Sequence, residues 1–339
     1  MEVEQGGPQG GVTTRPVRAR LRSVVEFGTV GAALVHPLAT LAGRYDWRMD
    51  LLTHFQGAAL LATALALAIV LRPRPRMALV LAGLLAFQIV PLVRYQGRNP
   101  VKADPRSRER LRILMANVLC ENQNFDTLAR LIRQEQPDIV GLVEYDKGWA
   151  RGLEDVRRLY PYHLDAPRGA RGVALWFREP PRSLGPVQEP LPGGWPFLHA
   201  TFEFGGLLRH LWLIHPSSPF ERRGLPELSA LARIIRDEGG SQIVVGDMNS
   251  TEGSPRFTDF LELTGLRDSR LGFGRQPSWP VGFPYRIAID HAFVSGDLAV
   301  VDRRLGPSFG SDHAPLILDL APAAGTALLT SSASSSKSK

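Results

Sequence analysis

Residues 242–249 read QIVVGDMN. Four residues suited to a buried strand run into a glycine turn that lifts Asp247 and Asn249 to the strand's carboxyl end, where a carboxylate and an amide can share one cation or one phosphate oxygen. The arrangement recurs outward from it. Asn117 ends ILMAN, Glu144 ends IVGLVE and His215 ends LWLIH; Asp312 and His313 stand in GSDHAPLIL before a last apolar run, and Asp290 lies in RIAIDHAFV. A single polar residue at a strand end is ordinarily a cap or turn former. Recurrence after nearly every apolar run marks a shared rim.

The elements between these runs set the fold class. Residues 111–118 read as a strand, 125–134 as a helix with Leu128, Leu131 and Ile132 on one face, and 139–143 as a second buried strand beyond Pro137. A strand–helix–strand unit of this length favours parallel pairing. Strands over 172–177, 198–204 and 208–214 follow, with Gly205 and Gly206 as a hairpin turn. A helix with Leu228, Leu231, Ile234 and Ile235 on one face then leads into QIVVGDMN, and a short helix over 255–263 and strands over 287–294 and 315–320 complete the set. The expectation is an α+β fold, a four-layer α/β/β/α sandwich of two packed mixed sheets flanked by helices, over residues 111–320.

The N-terminal third differs. Residues 1–22 are Gly-rich and basic and read as a disordered tail, and residues 23–95 as a membrane region with three transmembrane helices at about 24–43, 51–71 and 77–94. The second and third uncharged runs are long enough for about 30 Å of hydrocarbon at roughly 1.5 Å per residue. Arg72, Arg74 and Arg76 alternate with prolines as a turn at the membrane surface, and no cleavage site marks a signal peptide. Residues 96–110 read as an exposed linker and 321–339 as a disordered tail. The positive-inside rule places the arginines at 15–22 and 72–76 in the cytoplasm and the C-terminal domain outside it, although Arg94, Arg98 and Lys102 count on the other side. The expected location is the bacterial plasma membrane.

Charge and cysteine narrow the function classes. The net charge is +7, but between Arg112 and Asp319 there are 23 Lys and Arg against 26 Asp and Glu, so the basicity lies outside the globular part. A membrane surface accounts for this better than a basic nucleic-acid groove. With one cysteine, Cys120, there is no disulfide framework and no Cys-based zinc site.

In order and approximate spacing, Asn117, Glu144, His215, Gly246-Asp247-Met248-Asn249, Ile289-Asp290-His291 and Ser311-Asp312-His313 resemble the endonuclease/exonuclease/phosphatase superfamily, whose fold is like that of deoxyribonuclease I. The joint match of G-D-x-N and S-D-H is specific. The N-terminal runs, with DLLTHF opening the second, resemble a membrane-anchored bacterial branch. The resemblance implies metal-assisted in-line attack of water on a phosphoester. Glu144 would be the main Mg²⁺ or Mn²⁺ ligand, with Asn117 beside it and Asp312 joining through a water or at a second site; such oxygen donors suit a hard cation. His313 would be the general base or phosphate-polarising group, its tautomer fixed by Asp290, while Asp247 orients or deprotonates the water and Asn249 and His215 hold non-bridging oxygens. Leu119 stands where some members carry an acid, so that second metal ligand is missing.

Trp279 and Arg286, in a Gly/Pro-rich loop, are candidates for substrate binding, the first through a wall that stacks on a base or shields a lipid tail, the second through phosphate. His291 alternates to the opposite face and reads as structural. The expected function is a membrane-anchored phosphoesterase acting on a phosphodiester or phosphomonoester, with a phospholipid or small organophosphate as substrate. DNA or RNA is the alternative substrate, and a catalytically silent domain binding lipid head groups or a partner is a second alternative.

Overall fold

The computed structural model describes residues 15–221 and 224–325. Contacts divide the chain into one unit of residues 1–37 and 56–89 and another of residues 38–55 and 90–339. Four helices open the chain: α1 (Arg15–Ala42), α2 (Trp47–Thr53), α3 (Gln56–Val70) and α4 (Pro75–Val93).

In the first unit Ala33, Ala66, Val70, Ala78 and Leu81 form a small core. Small side chains at such contacts let helix backbones approach closely. Glu26 pairs with Arg74 at 2.5 Å, and Gln56 Nε2 donates to Gln88 O at 2.9 Å. The outer faces remain apolar, with Leu79 77% and Phe87 61% exposed.

Three N-terminal expectations change. Residues 15–22, expected in a disordered tail, belong to α1; Arg, Ala and Leu there are good helix formers, while residues 1–14 lie outside the described residues. Among the described residues, Ser23–Ala42, from the weakest of the apolar runs, is the one single helix long and apolar enough to cross a membrane. The expected second span is interrupted between Thr53 and Gln56, although Trp47–Thr53 and Gln56–Val70 taken together are long and apolar enough for one span, and the third offers Pro75–Val90, a shorter apolar helix. Short-range bonds close the end of α2 at the interruption. His54 N and Phe55 N donate to Leu51 O and Leu52 O in tight i to i−3 turns, and Thr53 Oγ1 donates to Asp50 O at 2.6 Å, ending α2.

The second unit contains the sandwich. Its strands are β1 (Leu111–Asn117), β2 (Ile139–Val143), β3 (Tyr162–Ala166), β4 (Val173–Phe177), β5 (Ser183–Leu184), β6 (Phe197–Phe204), β7 (Leu207–Ile214), β8 (Ser241–Asp247), β9 (Arg267–Asp268), β10 (Asp290–Val294), β11 (Leu298–Leu305) and β12 (Leu316–Pro322). One sheet runs β11-β12-β1-β2-β4-β3 and the other β5-β6-β7-β8-β10-β9. The pairs β1/β2 and β7/β8 are parallel, as expected for the first; β1/β12 and β8/β10 are antiparallel.

Period-two alternation makes three cores from these strands. Ile113, Met115 and Ile139 meet Leu211, Leu213 and Ile243 between the sheets. The opposite side of the first sheet, with Leu114, Val140 and Trp176, packs under helices α5 (Phe125–Glu135), α6 (Lys147–Gly152) and α7 (Glu154–Arg157). Trp212, Val244 and Phe293 of the second sheet pack under α8 (Gly224–Glu238) and α9 (Pro255–Thr264). Strands buried on both faces read as unbroken apolar runs, which is why they were legible. The strands β3, β5, β9 and β11, which no motif announced, lie at or next to sheet edges, where polar and charged side chains break the pattern.

The expected linker lies against the sandwich. Asn99 Nδ2 donates to Val300 O at 2.5 Å, Asp104 N to Pro322 O at 2.9 Å, and Ala103 bridges Ala323. Edge groups of the sheet thereby find partners. The C-terminal tail is ordered into β12 as far as Pro322, and residues 326–339 lie outside the described residues.

A buried charge cluster joins the segment after α4 to the domain. Arg270, fully buried, donates to Asp268 at 2.7 Å, to Glu252 at 2.9 Å and to Tyr95 Oη at 3.1 Å. Burial alone would raise the Glu252 pKa, but Arg270 and Arg275 outweigh it and hold the carboxyl at about 2, against an ordinary 4.5. Because the folded value is the depressed one, the associated stability is complete above about pH 4.5 and disappears as pH falls toward 2. We therefore expect unfolding midpoints to fall over that window. At pH 7, Arg270→Met should lose about 3–5 kcal/mol in denaturant unfolding, since two carboxylates stay buried without their cation; an unchanged midpoint would refute the cluster's role.

Candidate active site

The topology carries the motif residues to one rim. The carboxyl ends of β1 and β2 coincide, Asn117 pairing in register with Val143, and those of β7 and β8 likewise, Ile214 with Gly246. Antiparallel β10 begins where β8 ends, so Asp290 stands opposite Asp247, and β12 begins beside the end of β1, which places the Ser311–Asp312–His313 turn there. Gly246 permits this approach, because a Cβ at its φ of 154° would lie 1.9 Å from Ile214 O. Glu144 itself has φ 58°, a left-handed conformation that costs a non-glycine residue of order 1–3 kcal/mol. Backbone bonds on either side hold it there, Val118 N to Val143 O and Tyr145 N to Gly172 O, both at 3.0 Å.

Asn117 is the junction. Its Nδ2 donates to Glu144 Oε1 at 2.8 Å and to Asp247 Oδ2 at 3.1 Å, and lies 3.4 Å from His313 Nε2. Its Oδ1 accepts from Leu119 N at 3.0 Å, so Asn117, expected beside the metal as a ligand, presents its amide donor to the carboxylates. His313 Nδ1 bonds Asp290 Oδ2 at 2.8 Å, while His313 Nε2 and His215 Nε2 each lie 3.7 Å from Asp247 Oδ2. Asn249 N donates to Asp247 Oδ1 at 2.8 Å, an Asx turn that fixes both motif residues.

The electrostatics follow from burial and crowding. Burial raises the Glu144 pKa, and Asp247 and Asp312 push it the same way against Asn117 and His313. Asp247 is likewise raised, by burial first. Burial opposes a charged His313, yet Asp290 and Asp247 outweigh it and lift the imidazole to about 10; His215, with less help from Asp247, is pushed by burial down to about 4. Burial and the neighbouring carboxylates therefore pull the two rim histidines in opposite directions, His313 up and His215 down. The donors are oxygens, and Asp312 Oδ1 is buried without a hydrogen-bond partner among the described residues. This donor set fits a hard divalent cation, and among the described residues Glu144, His215 and Asp247 bring one ligand atom each within 4.8 Å of one another, as do Asp247, Asp290 and His313.

Of the two loop candidates, Trp279 lines the cavity and donates from Nε1 to Asp312 Oδ2 at 2.8 Å. Arg286 does not line it. The loop turns back so that Arg286 Nε reaches Phe283 O at 3.4 Å, on its own loop. His291, buried on the far face, meets Ser250 O at 2.8 Å, as alternation required. Two supporting serines went unassigned by sequence: Ser311 Oγ donates to Asn117 O at 2.8 Å and accepts from His313 N at 3.0 Å, and Ser278 Oγ accepts from Asp290 N at 3.2 Å. The adjacency of Ser311 to Asp312 was visible, but Ser278 had no signal. The cavity, about 270 Å³, also has an apolar side made by Leu51, Phe55, Pro219 and Phe220. The first two come from DLLTHF, which reads in sequence as the start of a membrane span.

Residues 115–313 match the model of the Endonuclease/Exonuclease/phosphatase family. Among solved structures, a functionally unknown conserved protein from Enterococcus faecalis V583 superposes with TM-score 0.53 at 17% identity, covering 62% of this chain and 100% of that one. An endonuclease/exonuclease/phosphatase from Beutenbergia cavernae DSM 12333 gives 0.50 at 20% identity, covering 63% and 72%. TDP2 from D. rerio, complexed with a single-strand DNA product, gives 0.52 at 17% identity, covering 62% and 99%. Among curated proteins, none matches the chain. With the family model spanning the strands that bring Asn117, Glu144, Asp247 and His313 together, the chain belongs to the endonuclease/exonuclease/phosphatase family, the metal-dependent hydrolases of phosphoric esters.

Proposed function

We propose that the chain is a membrane-anchored phosphoesterase that uses Mg²⁺ or Mn²⁺ to hydrolyse a phospholipid or small organophosphate by in-line attack of water. The convergence of Glu144, Asp247, Asp312 and His313 from both sheets onto one cavity, with Asp290 behind His313, carries this reading. A cation held by Glu144 and Asp312 would supply the charge that offsets the phosphate's own and stabilises the leaving alkoxide. Asn117 fixes Glu144 from behind and keeps it beside Asp247. Asp247, its other oxygen occupied by Asn249 N, orients the water, and Asp247 and His313, 3.7 Å apart, share the proton it gives up. Asp290 holds His313 in the tautomer that presents Nε2 to the cavity, Asn249 on the cavity wall would face a non-bridging oxygen, and His215 lies buried beside Asp247. Trp279 positions Asp312 through its indole N–H.

Membrane anchoring is supported by the Ser23–Ala42 helix and by exposed side chains such as Leu79 and Phe87, an arrangement unusual for helices in water. DNA or RNA remains the alternative substrate. Against it stand the acidic balance between Arg112 and Asp319 and the little room left for insertions that grip a duplex. A silent head-group binder has no need of the His313–Asp290 pair.

On a generic aryl phosphodiester or phosphomonoester, EDTA should abolish turnover and Mg²⁺ or Mn²⁺ restore it; turnover persisting in chelator would defeat the mechanism. Glu144→Gln and His313→Ala should each cut kcat by about 10²–10⁴ while melting as the parent does, and near-parental rates in either remove that residue from the site. A phosphatase reporter fused after Lys339 should be active outside the cytoplasm, and a silent reporter would place the domain inside. A steep fall in rate with salt on DNA or RNA panels, without turnover of lipid, would favour the nuclease alternative.

A further inference from the structure

The active cavity has two chemically different sides. One carries Glu144, Asp247, Asp312 and His313; the other is apolar, formed by Leu51 and Phe55 at the end of α2 and Phe220 on the facing turn Pro219–Glu221. Phe55 and Phe220 are 46% and 66% exposed, although each has apolar neighbours on the cavity wall. A single exposed apolar side chain is ordinary. Several that line one side of a cavity whose other side is built for a phosphate imply an occupant with apolar surface.

The wall is also fixed relative to the catalytic residues. Asp50, fully buried in α2, accepts from Ser254 Oγ at 2.5 Å and from Arg256 Nε at 2.9 Å, and His54 Nδ1 lies 3.0 Å from Thr251 Oγ1. Thr251 and Ser254 belong to the loop that follows Asn249, and Arg256 to the first turn of α9. Gly253 closes the contact, since a Cβ there would lie 2.5 Å from Thr53 O. A buried ionic clamp of this kind serves to set geometry, because the desolvation it requires leaves little net stability. The chain passes directly from Phe55 into α3, which has no charged residue.

We infer that the phosphoester taken by this site carries a hydrocarbon chain, and that Leu51, Phe55 and Phe220 select it. The inference rests on the phosphoesterase reading above and narrows its substrate to an amphiphile presented from a lipid surface. A water-soluble ester would gain nothing from the wall, whereas each methylene laid against it leaves water.

The test uses full-length protein in nanodiscs with matched short and long esters: methyl and dodecyl 4-nitrophenyl phosphate, and methyl and dodecyl monophosphate. For whichever ester class is cleaved, kcat/KM should be at least about tenfold higher for dodecyl than for methyl. Phe55→Ala, Phe220→Ala and Leu51→Ser should each collapse that ratio several-fold, whereas Leu208→Ser, an exposed apolar position on β7, should leave it unchanged. Equal rates on both chain lengths, or a ratio indifferent to all three wall substitutions, would overturn the inference and leave the phosphoesterase reading intact. Failure to cleave either class with Mg²⁺ or Mn²⁺ would overturn both.

Discussion

Asn117 donates one amide to two carboxylates, Glu144 of the first sheet and Asp247 of the second. Two negative charges are costly to bring together at a half-buried rim, and a neutral donor between them lowers that cost without cancelling the charge. The site therefore stays electronegative, which a divalent cation requires, and remains closed enough for Asp247 and His313 to be neighbours. Ser311 fastens the backbone of Asn117 to the His313 turn, so the same residue sets the position of a third strand end.

Around this junction the burial is graded. His313, Asp290, Asp247 and His215 are nearly inaccessible, whereas Glu144 and Asp312 are half-buried and open to the cavity. Within the inner group, the bond from His313 Nδ1 to Asp290 Oδ2 fixes the imidazole. The outer pair has capacity left for a ligand. Under the proposed hydrolysis the inner group would be the nucleophile side and the outer pair the cation side.

The segment between the first and second apolar runs changed most in meaning. DLLTHF reads in sequence as the beginning of a membrane span, and its leucines and phenylalanine support that. In the fold, Asp50 is drawn to Arg256 and Ser254, His54 to Thr251, and the helix ends before Gln56. A buried aspartate bonded to Ser254 and Arg256 outweighs the helical continuity of the apolar run. The partners lie about two hundred residues away in sequence, so no local pattern could have announced them.

The sequence by itself determined the sandwich and the roster of its rim. Strands buried on both faces must be apolar throughout, so their ends are conspicuous, and the polar residues that terminate them, Asn117, Glu144, His215, Asp247 and Asp312, could be picked out without coordinates. The tertiary structure alone decided the direction of each contact. It turned the Asn117 donor toward the carboxylates, folded Arg286 back onto its own loop, seated Ser278 under Asp290, and set Leu51 and Phe55 against the cavity. Such choices depend on neighbours brought together by strand pairing and loop closure, and periodicity along the chain carries no record of them.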